Sequence, residues 1–375
     1  MADLVSVLFI CRNFHRMAGG VERISTLMMN EMVERGFRVG LVTWDPADAV
    51  PHYALDPAVD WEKLNMGLSN VRAGWKLRLQ RQIVLRRIVK KFSPDVAIGF
   101  QVGTFLAGFT ATLGMGIPMI AAERNSPDLF DFMPDGEKQR RWAGRALMMA
   151  DCVAVQLDSY REKYPLKLRS RIVSIPNPVI QLKCPAYPNE SVSPPCRILN
   201  VGRLSEQKNQ MLLIRAFARI ALHYPDWSLT LLGEGDQRGE IEDLIVRKRL
   251  TGQVELVGTV TDVDAWYRES AFLAFPSLWE GFPNALVEAF RQGLPAVGLE
   301  QTAGVNELLR HNKSGLLAPN SEIGFAAAMQ EMIDNIGLRR RAGRFARDSI
   351  LRFAPESVFD EWADLFTKLA KKGRS

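Results

Sequence analysis

Two glutamates eight residues apart flank a loop that cannot be regular. The stretch Ala271–Glu300 contains Glu280 and Glu288, and Gly-Phe-Pro follows the first of them directly. A carboxylate accepts hydrogen bonds from sugar hydroxyls, so the pair could hold a polyhydroxylated ligand. For a single acid, an acidic first turn that only stabilises a helix dipole would be the better interpretation. Two acids around Gly-Phe-Pro favour ligand binding.

The elements predicted around these acids place them at the edge of a sheet. Ala271–Phe275 is a short apolar run, typical of a strand buried on both faces. A helix is expected from Asn284, its predicted N-cap, to Gln292, and Leu294–Leu299 resumes as a strand. Ligands of open α/β sheets bind at the carboxyl ends of strands. Free N–H groups around Asn284–Val287 would favour an anion there, such as a diphosphate.

The sequence Glu-Gly-Phe-Pro-x-x-x-x-Glu resembles the Glu-x7-Glu motif of the family-4 glycosyltransferases, which are retaining enzymes of GT-B fold that use nucleotide sugars. A second motif, Gly-Arg-Leu-x-x-x-Lys-Asn, follows the predicted strand Arg197–Val201 and is similar to the phosphate clamp of that family. The resemblance implies that Arg203 and Lys208 stabilise the departing diphosphate. It also implies that Glu280 holds the donor sugar and Glu288 the ribose. The other predicted donor contacts in this half are Gly202, Val257, Gly258, Gly281, Phe282, Pro283, Asn284, Ala285 and Leu286.

The N-terminal half contributes two further candidate features. Gly19 and Gly20 precede a predicted helix and resemble the glycine loop that faces the donor diphosphate and the acceptor in the family. Arg124 follows the predicted strand Met119–Ala122, where many family members have a histidine, so no histidine role can be carried over. Arg124 is a candidate catalytic residue that could contact a phosphate or the acceptor. A buried ion pair with Glu123 or another acid is the alternative.

The length and pattern of the chain predict two domains. Strands alternate with helices in both halves of the 375 residues, as in doubly wound parallel sheets. We expect a GT-B fold of two Rossmann-like domains facing an interdomain cleft, with the C-terminal helix crossing back. The predicted boundaries are 1–178 with 355–375 for the acceptor-side domain, 179–196 for a proline-rich linker and 197–354 for the nucleotide-sugar domain.

The composition favours a cytoplasmic location. No apolar run approaches the roughly 18 residues of a transmembrane helix, and the start of the chain has no basic region typical of a signal peptide. The four cysteines have no metal-type spacing. Asp262-Val-Asp264 spells Asp-x-Asp, but it lies at a predicted helix start and is interpreted as N-capping acids. No metal and no cofactor are expected.

The segment Lys76–Lys91 has seven basic residues and no acid. On a helical wheel an apolar arc of Leu77, Val84, Leu85, Ile88, Val89 and Phe92 lies beside a basic arc of Lys76, Arg86, Arg87, Lys90 and Lys91. Peripheral contact with an anionic membrane is one hypothesis; a solvated surface helix is the other. Residues Gly136–Met149 add three arginines and Trp142 to this half. Nucleic acid is disfavoured because recognised binding motifs are missing.

The family resemblance implies a metal-independent retaining glycosyltransferase. It would move a hexose or N-acetylhexosamine from a nucleotide sugar, with UDP as the expected nucleotide, to a saccharide acceptor. The basic N-terminal segment and the family resemblance favour a lipid-linked acceptor at the cytoplasmic membrane face, in polysaccharide or glycan assembly. The alternatives are a nucleotide-sugar 2-epimerase of the same fold and a catalytically silent partner subunit that binds nucleotide sugar.

Overall fold

A computed structural model describes residues 4–67, 74–191 and 196–374 of the chain. The chain divides into two compact units. Unit 1 comprises Met1–Pro178 and Pro355–Ser375, and unit 2 comprises Val179–Ala354. The predicted linker, 179–196, is part of unit 2, and its residues 192–195 lie outside the described residues.

Unit 1 is built on a parallel sheet of seven strands in the order β3-β2-β1-β4-β5-β6-β7. The strand β1 (Ser6–Ile10) is completely buried, as expected for a central strand that is covered on both faces. It pairs with β2 on one side and with β4 on the other, so the strand order reverses at β1. The other strands are β2 (Arg38–Thr43), β3 (Asp60–Lys63), β4 (Val96–Phe100), β5 (Met119–Ala122), β6 (Cys152–Val155) and β7 (Ile172–Ser174).

The helices of unit 1 include the C-terminal helix of the chain. They are α1 (Gly20–Glu34), α2 (Trp75–Phe92), α3 (Gln101–Thr112), α4 (Gly136–Leu147), α5 (Leu166–Arg169) and α13 (Pro355–Arg374). From α13, Val358, Trp362 and Phe366 are buried in the same core as Phe9 of β1. The long C-terminal helix therefore stabilises the N-terminal sheet, which requires the chain to return to unit 1 after residue 354.

Unit 2 repeats the arrangement with six parallel strands in the order β10-β9-β8-β11-β12-β13. The strands are β8 (Arg197–Val201), β9 (Ser228–Leu232), β10 (Val254–Gly258), β11 (Phe272–Phe275), β12 (Ala296–Leu299) and β13 (Gly315–Ala318). The helices are α6 (Gln210–Ile220), α7 (Arg238–Arg247), α8 (Val263–Arg268), α9 (Asn284–Arg291), α10 (Ala303–Asn306), α11 (Glu322–Asp334) and α12 (Ile336–Ser349). A separate apolar core holds this unit together.

The fold prediction is confirmed, because each unit is a doubly wound parallel α/β sheet. One detail of the sequence prediction is wrong. Asn284 is the first residue of α9 and not its N-cap, since Pro283 occupies the cap position without a side-chain hydrogen bond. The proline fixes its own φ, so the chain enters the helix one residue earlier than the asparagine suggested.

Candidate active site

The candidate site of unit 2 lies where its strand order reverses. β8 and β11 are neighbours in the sheet, and the chain leaves each of them at the same carboxyl edge. The crevice between two such strands is the usual ligand position in doubly wound sheets. Two predicted site loops start there: Gly202–Lys208 after β8, and 276–283 after β11.

Lys208 and Glu280 form a direct ion pair across these two loops. The ammonium Nζ lies 2.5 Å from Glu280 Oε1, and the two side chains are 18% and 6% exposed. Lys208 Nζ also lies 5.3 Å from the centre of the Phe275 ring at the end of β11. A carboxylate as buried as Glu280 has to be compensated by a nearby charge. Lys208 provides it and retains further N–H donors for an anionic ligand.

Side-chain amides hold the two loops together. Gln207 Nε2 donates to Trp279 O at 2.9 Å, and Leu278 N–H donates to Gln207 O at 2.8 Å. Asn209 Nδ2 donates to Pro276 O at 3.3 Å, while Asn209 itself adopts a left-handed conformation (φ 54°). The lysine and glutamate are thus positioned by a cross-linked pair of loops rather than by flexible segments.

Two glycines make the approach of these loops possible. A Cβ on Gly202 would lie 3.2 Å from the Lys208 side chain. A Cβ on Gly233, which has φ +129°, would lie 2.2 Å from Gly202 O. A side chain at either position would displace the lysine or the backbone beneath it. Gly233 was not among the predicted site residues, although it begins the sequence Gly-Glu-Gly, in which glycines alternate.

Arg203 lies at the end of β8 with an exposed side chain. Its backbone carbonyl accepts a hydrogen bond of 3.0 Å from Gln210 Nε2, which fixes the start of the loop. In the part of the chain that the structure describes, the guanidinium makes no ion pair. The arginine therefore presents an uncompensated positive charge at the carboxyl edge, as a phosphate-binding residue would.

The predicted free amides at the start of α9 are mostly occupied. Asn284 N–H donates to Phe282 O at 2.8 Å, and the N–H groups of Leu286 and Val287 donate to Pro283 O at 3.0 and 3.2 Å. The prediction of free donors is wrong for these three residues, because the first turn is tightened into short-range bonds. Gly281 and Phe282 are buried, and Ala285 is partly buried beside them.

Glu288 belongs to a second group of contacts, around Tyr267. The tyrosine hydroxyl donates to Ala285 O at 3.1 Å and lies 3.5 Å from Glu288 Oε2. Tyr267 is completely buried, and burial together with the Glu288 charge raises the pKa of its phenol well above the usual range. The tyrosine is thus neutral, and its single O–H, which donates to Ala285 O, lies beside the Glu288 carboxylate. Nothing in the sequence indicated this neighbour of Glu288.

The end of β10, which contains the predicted donor contacts Val257 and Gly258, is irregular. Leu256 pairs with Leu231 and Gly258 with Leu232, which leaves Val257 in a bulge. Gly258 has φ +86° and accepts a 2.8 Å hydrogen bond from Gly233 N–H. The bulge joins the end of β10 to the glycine turn after β9.

The two acids of the Asp-x-Asp sequence have structural partners. Asp262 caps α8 by accepting from Ala265 N–H at 3.1 Å, as predicted. Asp264 forms an ion pair with Arg291, in which the nitrogen NH2 lies 2.5 and 2.7 Å from the two carboxylate oxygens. Over the described ranges, no three His, Cys, Asp or Glu side chains are grouped so that they could hold a metal ion.

In unit 1, Gly20 begins α1 and Gly19 is its N-cap. A Cβ on Gly19 would lie 2.1 Å from Glu22 Oε2, so the Glu22 carboxylate occupies the space next to the helix start. Burial raises the pKa of Glu22. The helix therefore carries its own acid where the sequence predicted a ligand anion.

Arg124 is buried directly after β5. Its guanidinium lies over the rings of Phe100 (5.4 Å) and Trp362 (5.6 Å), and NH1 donates to Asn177 Oδ1 at 3.4 Å. Burial lowers its pKa to about 10. Gln156 Nε2 donates to the same Asn177 oxygen at 2.9 Å. These contacts connect the end of β5 to α13 and to the last residues of unit 1 before residue 178.

Within the described segments, no helix combines the length and the apolar character needed to cross a bilayer.

Comparisons with known proteins agree with this geometry. The family described as "Glycosyl transferases group 1" matches residues 195–335, and the "Glycosyl transferase 4-like domain" matches residues 19–178. An uncharacterized glycosyltransferase of Haemophilus influenzae is 26% identical over 355 residues, which are 92% of this chain and 95% of that protein.

A Campylobacter jejuni enzyme is also similar. It is named GalNAc-alpha-(1->4)-GalNAc-alpha-(1->3)-diNAcBac-PP-undecaprenol alpha-1,4-N-acetyl-D-galactosaminyltransferase and is 23% identical over 300 residues, covering 78% of this chain and 80% of the enzyme. Among solved structures, Anabaena Alr3699/HepE in complex with UDP and glucose has a TM-score of 0.77 at 16% identity, covering 97% of this chain and 99% of that one. Both units match glycosyltransferase families and the fold is that of GT-B enzymes, so the chain belongs to the group 1 glycosyltransferases.

Proposed function

We propose that this protein is a retaining glycosyltransferase that uses a UDP-sugar and a lipid-linked saccharide acceptor in bacterial polysaccharide or glycan assembly. The Lys208–Glu280 ion pair at the reversal of strand order carries this proposal. The Campylobacter relative is named for a diphospho-undecaprenol acceptor, and the Anabaena structure contains UDP, which supports the choice of substrates. The transferred sugar is a hexose or an N-acetylhexosamine.

The chemistry follows from the charges around the pair. Arg203 and Lys208 stabilise the negative charge that develops on the departing diphosphate, which is the step where fixed positive charge accelerates transfer most. Glu280 holds Lys208 through Oε1 and accepts from hydroxyls of the donor sugar with its remaining lone pairs. Glu288, which lies beside the Tyr267 hydroxyl, accepts from the ribose hydroxyls.

Retention follows if the leaving group itself acts as the base. The departing diphosphate accepts the proton of the acceptor hydroxyl as the new glycosidic bond forms on the face from which the diphosphate leaves. Lys208 and Arg203 supply the positive field in this scheme without a metal ion.

We also propose that unit 1 contacts the membrane through α2. The residues of α2 that we propose for this contact differ from the predicted ones. The predicted apolar arc, including Leu85, Val89 and Phe92, faces the core of unit 1. A second apolar stripe that the sequence analysis missed is exposed instead: Trp75 (72%), Leu79 (55%) and Ile83 (52%). Such exposed apolar residues beside lysine and arginine are typical of interfacial helices.

A donor panel tests the proposed reaction. Thermal unfolding is measured with UDP-, GDP- and ADP-sugars, and the donor that stabilises the protein most is then incubated alone to follow slow hydrolysis by NMR. We expect a UDP-sugar to stabilise, and its sugar to be released unchanged in identity and in anomeric configuration. An epimeric donor would indicate the epimerase instead, and tight binding without any turnover would indicate a silent partner subunit.

A further inference from the structure

Unit 1 contains a cavity of about 930 Å³ at the carboxyl ends of β4 and β5. Its volume is near the upper end of the roughly 300–1,000 Å³ that is usual for small-molecule sites. Gln101–Gly103, directly after β4, and Glu123, directly after β5, line one end. The helices α4 and α5 supply much of the remaining wall, and none of the proposed donor-binding residues of unit 2 contributes to it.

The wall formed by α4, α5 and the segment before α4 is largely apolar. It includes Leu129, Phe130, Leu147 and Pro165. Trp142 and Leu166 line the same cavity and are 56% and 78% exposed. Exposed apolar residues grouped at a cavity are typical of ligand-binding sites, whereas single exposed apolar residues are common on any surface.

The cavity is also positively charged. Six basic and three acidic side chains line it. Arg140 pairs with Asp131 and Glu137, and Lys163 pairs with Asp128. In the described parts of the chain, Arg145 and Lys167 have no carboxylate partner. These two cations on an apolar wall are complementary to a ligand with an anionic group and a hydrocarbon body.

Two features at the strand ends indicate a built site. Gln101 has φ 68°, an uncommon conformation for a residue other than glycine, and such strain concentrates where a ligand is held. Glu123 Oε1 is buried and has no hydrogen-bond partner among the described residues. A ligand hydroxyl at this end of the cavity would provide that partner.

We propose that this cavity binds the isoprenoid diphosphate portion of the lipid-linked acceptor. The hydrocarbon lies against Trp142 and Leu166, the diphosphate contacts Arg145 and Lys167, and the attached sugar reaches Glu123. This inference rests on the proposed function for the identity of the acceptor. The cavity, the two cations and the strained Gln101 come from the structure alone.

Calorimetric titration of the full chain with farnesyl diphosphate, below its critical micelle concentration, tests the proposal. Inorganic pyrophosphate is the probe for charge alone. We expect one farnesyl diphosphate per chain, bound at least tenfold more tightly than pyrophosphate. The double variant Arg145→Ala/Lys167→Ala should weaken farnesyl diphosphate at least tenfold. Trp142→Ser/Leu166→Ser should do the same while leaving pyrophosphate unchanged.

Matched variants in unit 2 provide the controls. Leu222 is 92% exposed, and Arg247 and Lys248 are exposed on and after α7, so Leu222→Ser and Arg247→Ala/Lys248→Ala should not alter the affinity. Equal affinity of all variants would overturn the proposal, as would pyrophosphate binding as tightly as farnesyl diphosphate or displacement of farnesyl diphosphate by UDP. Circular dichroism of each variant separates lost binding from lost folding.

The outcome is separable from that of the proposed function, because the titration contains no sugar donor. If the protein transfers sugar to a lipid-linked acceptor but farnesyl diphosphate does not bind in this cavity, the inference is wrong and the proposed function stands. If farnesyl diphosphate binds in the cavity but no nucleotide sugar is turned over, the proposed function is wrong and the cavity remains a site for an isoprenoid diphosphate.

Discussion

Among single residues, the ion pair between Lys208 and Glu280 has one consequence for the proposed reaction and one for stability. In the proposed reaction the lysine supplies positive charge for a diphosphate, and in the folded protein it compensates a carboxylate that is only 6% exposed. Removing one partner of a buried pair leaves the other charge uncompensated, whereas removing both does not. Loss of activity in a single variant therefore cannot be separated from loss of stability, but a double variant can separate them.

We predict that Lys208→Met and Glu280→Gln each lower the free energy of unfolding by on the order of 1–3 kcal/mol, from the unpaired charge or lost hydrogen bond. The double variant should recover most of this loss, since no buried charge remains. Glycosyl transfer should fall at least about a hundredfold in all three variants. The two variants without Lys208 lose the charge that would face the diphosphate, and the two without Glu280 lose the carboxylate that would accept from the donor sugar. Thermal unfolding and a transfer assay measure the two effects. A double variant with substantial activity would show that the pair is purely structural.

A second residue-scale prediction concerns Glu123. Burial raises the pKa of this carboxyl to about 7, and Tyr164 lies close enough for its own pKa to be raised in part by the glutamate charge. The unfolded chain releases the proton near pH 4.3. Between these values the folded protein binds more protons than the unfolded one, so stability falls as the pH rises from about 4.3 to 7.

The variant Glu123→Gln cannot ionise, so this part of the pH dependence should disappear. Relative to wild type, we expect it to gain on the order of 2 kcal/mol between pH 5 and pH 8, given about 1.4 kcal/mol per unit of pKa shift. Urea unfolding at several pH values measures the difference. Parallel stability profiles for the two proteins would mean that Glu123 titrates normally.

At the scale of elements, α2 shows how one helix combines two apolar surfaces. Its buried surface packs in unit 1, and its exposed stripe of Trp75, Leu79 and Ile83 has a spacing of four residues. Of the basic residues, Arg86 donates to the carbonyls of Ala111 and Leu113, and Lys91 pairs with Glu62 at 2.6 Å. Lys76, Arg87 and Lys90 are exposed, so these three are the better candidates for a membrane contact than the full basic arc.

We predict that replacing Lys76, Arg87 and Lys90 by glutamine weakens binding to vesicles containing anionic lipid by roughly a hundredfold, since each charge contributes about 1 kcal/mol at such a surface. Replacing Trp75, Leu79 and Ile83 by serine should also release the protein, and that release should persist at high salt. Vesicle co-sedimentation measures both. The exposed apolar residues Leu222, Val246 and Ile323 of unit 2 serve as controls when changed to serine. Retention of all variants on vesicles would exclude α2 as the contact.

At the scale of the whole molecule, the chain uses the same sheet topology twice for different tasks. In both units the strand order reverses beside the first strand, which makes a crevice at the carboxyl edge. In unit 2 that edge carries paired and unpaired cations suited to a diphosphate. In unit 1 the cavity between the ends of β4 and β5 and the helix α4 is mostly apolar and suited to a lipid. The two sets of side chains match the polar donor and the amphipathic acceptor that we propose.

The strands, the helices, the fold class and the family can be predicted from the sequence, because these depend on local apolar patterns and on motifs of adjacent residues. The sequence also indicated Lys208 and Glu280, since each lies in such a motif. The direct contact between these two residues, which are 72 positions apart, is seen only in the folded chain. The same is true of the position of Arg124 against two aromatic rings and of the short-range hydrogen bonds that occupy the amides of the first turn of α9. The periodicity of a sequence shows that a helix surface is apolar, but it does not show what covers that surface. The helix α2 has two such surfaces. Which of them is buried depends on neighbours distant in the sequence, and so do a cavity and the pairing of its charges.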